Sequence, residues 1–175
     1  ITSNFHDLSF SREEFDFDNA SHLLMRTTIG PTIEEINMAV SIGLDATIDM
    51  LLDNHNQPNP PGDWIYHPVS PNYGNLTSTQ KDSIKDEWDN RFWLMSNWWL
   101  DLMKYSDPNI RETMVLFWHD HFATSAEVIK FTPAMYKQNE LFRKYAIGNF
   151  KDLVFSINYD PAMIEWLDNN ENYYI

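Results

Sequence analysis

The chain has 175 residues and carries 12 Lys and Arg against 26 Asp and Glu. The net charge of −14 argues against nucleic acid and anionic membrane surfaces as partners, since both are bound mainly through clustered Lys and Arg. An aromatic content of 15% excludes a disordered acidic tail. The absence of cysteine excludes disulfides and thiolate metal sites, and no apolar run is long enough to span a membrane.

Residues 1–18 are predicted to form an extended arm that docks aromatic side chains onto a core. Phenylalanines recur there among acidic and polar residues without a helical or strand period. The chain starts without Met and without a basic segment leading into an apolar one. We therefore expect that it begins after a processing event or is a piece of a longer protein.

Helical spacing of apolar residues predicts three short helices within residues 19–52. The first begins near the start of that range and should stop at Gly30-Pro31, a strong turn pattern. Thr32 and Glu35 have the spacing of a capping box, which predicts the start of the second helix. Gly43 then separates the second helix from the third.

Residues 53–79 are predicted to be a long loop, because five prolines and several asparagines interrupt any regular period. Long loops inside compact domains are usually functional or insertions. Trp64, Tyr66 and Tyr73 in this loop are candidates for binding a partner. The alternative is that these aromatic side chains pin the loop onto its own domain.

The longest predicted helix runs from about Gln80 to Tyr105, where Trp93 and Trp98 widen the apolar stripe and favour a central helix covered on more than one side. No alternating strand pattern and no internal repeat occurs in the sequence.

The prediction is an all-α, irregular multi-helix domain over residues 19–175. The remaining predicted helices cover residues 109–117 or beyond, 133–148, 150–159 and a stretch after Asp160-Pro161.

The densest group of chemically active residues is His119, Asp120 and His121, within an aromatic segment. Two histidines at this spacing can bind one metal if the backbone is extended or in a turn, but a regular helix separates them by about 200°. All three are therefore candidate ligands of a divalent transition metal, with Asp120 as an oxygen ligand or as a partner that orients one imidazole. The alternative is that both histidines are buried in the core and bonded to backbone carbonyls.

Arg143 is a scarce cation in an acidic chain, and it lies among apolar residues. We expect a buried structural ion pair with a carboxylate such as Asp160. The usual glycine-containing motifs of hydrolases, nucleoside triphosphatases and dinucleotide-binding enzymes do not occur in the sequence.

Several blocks of the chain, taken in order, are similar to one known family. They are Ser-His-Leu-Leu-Met-Arg (21–26), Gly-Pro-Thr (30–32), Trp-Trp-Leu (98–100) with Met103, Leu-Phe-Trp-His-Asp-His-Phe-Ala-Thr-Ser (116–125), Gln138, Arg143, Ala-Ile-Gly-Asn-Phe (146–150), Asp-Pro-Ala-Met (160–163) and Leu-Asp-Asn (167–169). In this order they resemble the bacterial domain of unknown function 1800 family, over most of the chain from about residue 19.

The resemblance implies an exported protein, located in the periplasm, at the cell surface or outside the cell, whose signal peptide has been removed. It brings no established activity. Family members are longer than this chain, so residues 19–175 would be the N-terminal part of a larger domain. The missing C-terminal remainder would then be a partner of this part.

The residues leave two functions open. The leading hypothesis is an enzyme that uses a histidine-bound metal for hydrolysis or oxidation of an extracellular substrate. The alternative is a non-catalytic interaction module that binds a protein or a glycan at the cell surface through its aromatic loop. A metal that disappears when both histidines are replaced would favour the first, and a large loss of stability without any metal would favour the second.

Overall fold

The computed structural model describes residues 15–53, 57–66 and 73–169. All regular elements in these ranges are helical, which confirms the predicted all-α class. None of the described helices is both long and apolar enough to cross a membrane. The α-helices of the described ranges are α1 (Phe17–Thr27), α2 (Ile33–Ile42), α3 (Leu44–Leu52), α4 (Ser78–Tyr105), α5 (Arg111–His121), α6 (Thr132–Lys144), α7 (Phe150–Ile157) and α8 (Pro161–Trp166).

Contacts divide the chain into two compact units. The first unit holds α1, α2 and α3 together with Pro108–Ile110, and the second holds α4 to α8 with two short 3₁₀ turns, Asp63–Tyr66 and Tyr73–Asn75. Both turns lie within the loop predicted for residues 53–79. The single domain expected over residues 19–175 stays a prediction.

In the first unit, α1 starts earlier than the sequence suggested. The Asp16 side chain accepts a hydrogen bond from the Asn19 N–H at 3.0 Å and caps the helix, so Phe17 and Asp18 belong to α1 and not to the predicted arm. Phe15 packs against the core of this unit, as expected for an arm aromatic. Residues 1–14 of the predicted arm lie outside the described residues.

The predicted capping box at the start of α2 is confirmed. The Thr32 hydroxyl accepts from the Glu35 N–H, and the Glu35 carboxylate accepts from the Thr32 N–H. Gly43 has φ +83°, a left-handed conformation that favours glycine and ends α2. The core of this unit consists of buried side chains on all three helices: Ala20, Leu24, Ile36, Ala39 and Leu51.

In the second unit, α6 contributes most to the core. It buries nine of its 13 residues, whereas α4, with 28 residues, buries only Met95. Trp93 is 63% exposed. The expectation that α4 is covered on more than one side, which was based on its wide apolar stripe, is therefore not met at this residue. Two apolar clusters meet α6, one around Ile129 and Met135 and one around Phe142.

The start of α4 and the end of α6 differ from the predicted positions. A capping box between Thr77 and Gln80 starts α4 at Ser78, two residues early. α6 ends at Lys144, four residues before Gly148, because the Tyr145 N–H already bonds back to two preceding carbonyls. α5 continues past Phe117 to His121, as the prediction of an end at Phe117 or beyond allowed, and this extension determines the geometry of the histidine pair.

Candidate functional site

The two histidines of the candidate metal site both lie in the last turn of α5. Residues two apart in a helix are separated by about 200°, so His119 and His121 point to opposite sides. The extended or turned backbone that a shared metal would require is therefore not observed in this segment. His119 is half-buried, whereas Asp120 and His121 are exposed.

His121 belongs to an aromatic group on the surface. Its ring lies parallel to Phe117, with the centroids 6.2 Å apart, and contacts Phe122 edge-on at 4.8 Å. Trp118 lies edge-on to His121 and stacks on Phe150 at 5.5 Å. The expectation that both histidines are buried in the core thus does not describe His121.

His119 faces the interior of the second unit. Its ring contacts Trp99 edge-on at 5.3 Å and Phe142 at 6.3 Å. Burial lowers the pKa of His119 below its usual 6.5, and this effect exceeds the opposing influence of Asp120. The imidazole is therefore neutral at pH 7. Within the described ranges, no residue forms a hydrogen bond with this ring.

A cleft of about 120 Å³ lies next to His119 between α4, α5 and α6. Its walls include Met95, Ser96, Trp99, His119, Met135 and Asn139. The Ser96 hydroxyl donates to the Phe92 carbonyl at 2.9 Å, which leaves its oxygen as an acceptor toward a ligand. The cleft thus combines apolar walls with three polar side chains.

A buried ion pair between Glu112 and Arg143 lies beside this cleft. Arg143 donates from both terminal nitrogens to the Glu112 carboxylate, at 3.0 Å for the Nη2 bond, and both residues are less than 10% exposed. The prediction of a buried structural pair is correct, but the predicted partner is wrong. Asp160 caps α8 through the Met163 N–H instead, and burial raises the pKa of its carboxyl.

The ion pair fixes two walls of the cleft. The Trp99 indole donates to Glu112 Oε2 at 3.2 Å, and Arg143 Nη2 donates to Asn139 Oδ1 at 3.1 Å. Because arginine can only donate, it fixes the amide orientation of Asn139 and leaves the Nδ2 group as a donor. The cleft therefore offers a neutral imidazole as an acceptor and an amide as a donor, both held by surrounding contacts.

Metal binding at His119, Asp120 and His121 stays a prediction. Among residues 15–53, 57–66 and 73–169, no group of three or more His, Asp or Glu side chains is arranged to hold a metal ion. Of the proposed set, His119 lines the cleft described above.

The aromatic residues of the predicted loop are in different environments. Trp64 packs against the core cluster around Ile129, and a Cβ at Gly62 would lie 2.7 Å from its indole nitrogen, so glycine permits this close contact. Tyr66 is 66% exposed. The side chain of Tyr73 lies outside the described residues. Trp64 thus holds the loop against its own unit, as the alternative interpretation expected. Partner binding by Trp64, Tyr66 and Tyr73 stays a prediction.

Sequence reasoning missed Trp99, Glu112 and Asn139. Glu112 is 31 residues from Arg143, and no sequence pattern connects the two. The spacing of Asn139 and Arg143, four residues apart on one helix face, is the feature that could have indicated a contact.

Comparison with known proteins adds the family. Neither the curated proteins nor the solved structures contained a match to this chain. The family model described as "Protein of unknown function (DUF1800)" matches residues 22–174, which is most of the chain. The chain therefore belongs to the DUF1800 family.

Proposed function

We propose that the chain is part of an exported enzyme that binds a small polar substrate in the His119 cleft and uses His119 as a general base for hydrolysis. One observation carries the proposal: a half-buried, neutral imidazole lines a cleft and has no hydrogen-bond partner in the described part of the chain. Export is supported by the family resemblance, and its direct measure is fractionation of the producing cells.

The chemistry follows from the polar groups of the cleft. A neutral imidazole can accept a proton from a water or a hydroxyl group. The Asn139 Nδ2 group can donate to the carbonyl or phosphoryl oxygen of the same substrate. The Glu112–Arg143 pair holds Asn139 and Trp99 in place, so the geometry does not have to form anew when a substrate binds.

Replacing His119 by Gln is the direct test, with p-nitrophenyl acetate as the probe and His121→Gln as the matched control on the same helix. General-base catalysis contributes about 10²–10⁴-fold, so His119→Gln should lose most of the turnover and His121→Gln almost none. The wild-type rate should fall as the pH decreases through the lowered pKa of His119, because the protonated imidazole cannot accept a proton. Equal turnover in both variants, or no turnover in the wild type, would contradict the proposal.

A metal ion bound through His119 is the second candidate. The neutral imidazole that favours a general base is also the form that binds divalent transition metals.

Elemental analysis of the chain purified without chelator separates the metal hypotheses. The second candidate predicts a stoichiometric transition metal that disappears in His119→Gln and persists in His121→Gln. Loss of the metal in both variants would indicate that His119 and His121 share it after a rearrangement of the end of α5. Metal-free protein with an intact circular dichroism spectrum would count against both metal hypotheses.

A further inference from the structure

A second and larger cavity, of about 250 Å³, lies between α4 and residues 126–132. It touches the His119 cleft only through a shared wall residue, Phe92, and holds none of the polar groups assigned above. Trp88 and Ile129 are among its apolar lining residues, and four charged side chains also line it: Lys85, Asp89, Glu127 and Lys130.

The two positive and two negative side chains give the cavity lining a net charge of zero, but they are not paired with one another. Within the described ranges, none of them forms an ion pair. Lys85 and Asp89 are four residues apart on α4, a spacing at which ion pairs commonly form. Two cations and two anions thus line the cavity together with apolar side chains, and none of the four is engaged in an ion pair within the described ranges.

The cavity wall opposite α4 is held by the core. Ile129 is only 1% exposed and packs in the cluster with Met95, and its N–H donates to the Ser125 carbonyl at 2.8 Å. Glu127 and Lys130 flank this fixed residue. On α4, Lys85, Trp88 and Asp89 share one helix face because they are three and four residues apart. Both walls therefore present their charges from ordered backbone.

We propose that this cavity binds a small zwitterion, an α-amino acid with an apolar side chain. Its carboxylate would pair with both Lys85 and Lys130, and its ammonium group with both Asp89 and Glu127. The apolar side chain would lie against Trp88 and Ile129. The cavity volume is below the range of about 300–1,000 Å³ typical of drug-sized ligands, which fits a single amino acid. This binding does not depend on His119.

Calorimetric titration with three related probes tests the requirement for both charges. The probes are L-phenylalanine, phenethylamine, which lacks the carboxylate, and 3-phenylpropionate, which lacks the amine. We expect L-phenylalanine to bind at millimolar or lower concentration and each single-charge probe to bind at least about tenfold more weakly. No binding of L-phenylalanine at millimolar concentration, or equal binding of phenethylamine, would overturn the proposal.

Replacing side chains that line the cavity tests whether L-phenylalanine binds there. Glu127→Gln and Lys130→Gln should each weaken L-phenylalanine binding by about tenfold, while Lys130→Gln should leave phenethylamine binding unchanged. Lys151→Gln is the matched control, because Lys151 lies over Phe155 on α7 and not at the cavity. All three replaced side chains are exposed, so circular dichroism should confirm native folding. Unchanged L-phenylalanine affinity in both cavity variants would overturn the proposal.

Discussion

Replacing Arg143 by Met is expected to lower the free energy of unfolding by about 3–5 kcal/mol, the usual cost of breaking a buried ion pair from one side. The Glu112 carboxylate would remain buried without its two guanidinium donors, and Asn139 Oδ1 would lose its partner. Urea titration followed by circular dichroism measures the change. The effect is large because an uncompensated buried charge costs more than the intact pair contributes.

Arg91→Met is the matched control for this experiment. Arg91 also pairs with a glutamate, Glu87, but that pair joins positions four apart on α4, and the side chains are 19% exposed for Arg91 and 53% exposed for Glu87. Its loss should cost less than about 1 kcal/mol. The double variant Glu112→Met, Arg143→Met should recover part of the loss, because no single charge then stays buried. If Arg143→Met cost no more than Arg91→Met, the pair would not be the support of the cleft that we infer.

The sequence predicted the helices well where a local pattern defines them. The capping box of Thr32 and Glu35 is a contact between neighbours in the chain, so the sequence alone reveals it. The caps by Asp16 and Thr77 were missed, although they are equally local, because other polar residues nearby compete for the same role. Burial of α4 could not be predicted from its apolar stripe, since burial depends on which other elements cover a face.

The candidate site was only partly predictable. The sequence showed that a helix would point His119 and His121 to opposite sides, and this is what the structure has. Whether α5 extends as far as His121 could not be read from the sequence. The partner of Arg143 was wrong because Asp160 is nearer in sequence, while Glu112 reaches Arg143 only through the packing of α5 against α6. Contacts between distant segments are set by packing, which local patterns do not encode.

The second expected result of comparable size concerns Phe142, a fully buried side chain in α6. Phe142→Ala should cost about 3–5 kcal/mol of unfolding free energy, because it removes a large apolar group from the cluster with Val115 and Leu153. The ring also lies 6.3 Å from His119, so the cavity would let water approach the imidazole. The lowered pKa of His119 should then rise toward 6.5, since burial is its main cause.

Urea titration and an NMR titration of the His119 imidazole measure the two effects together. Phe155→Ala is the control, since Phe155 is 60% exposed on α7 and should change neither quantity appreciably. If Phe142→Ala does not fold, Phe142→Leu leaves a smaller cavity and should give smaller changes of the same sign. A stability loss with an unchanged His119 pKa would show that Phe142 does not keep water from the imidazole. In that case, the neutral state on which the proposed function depends would need another source.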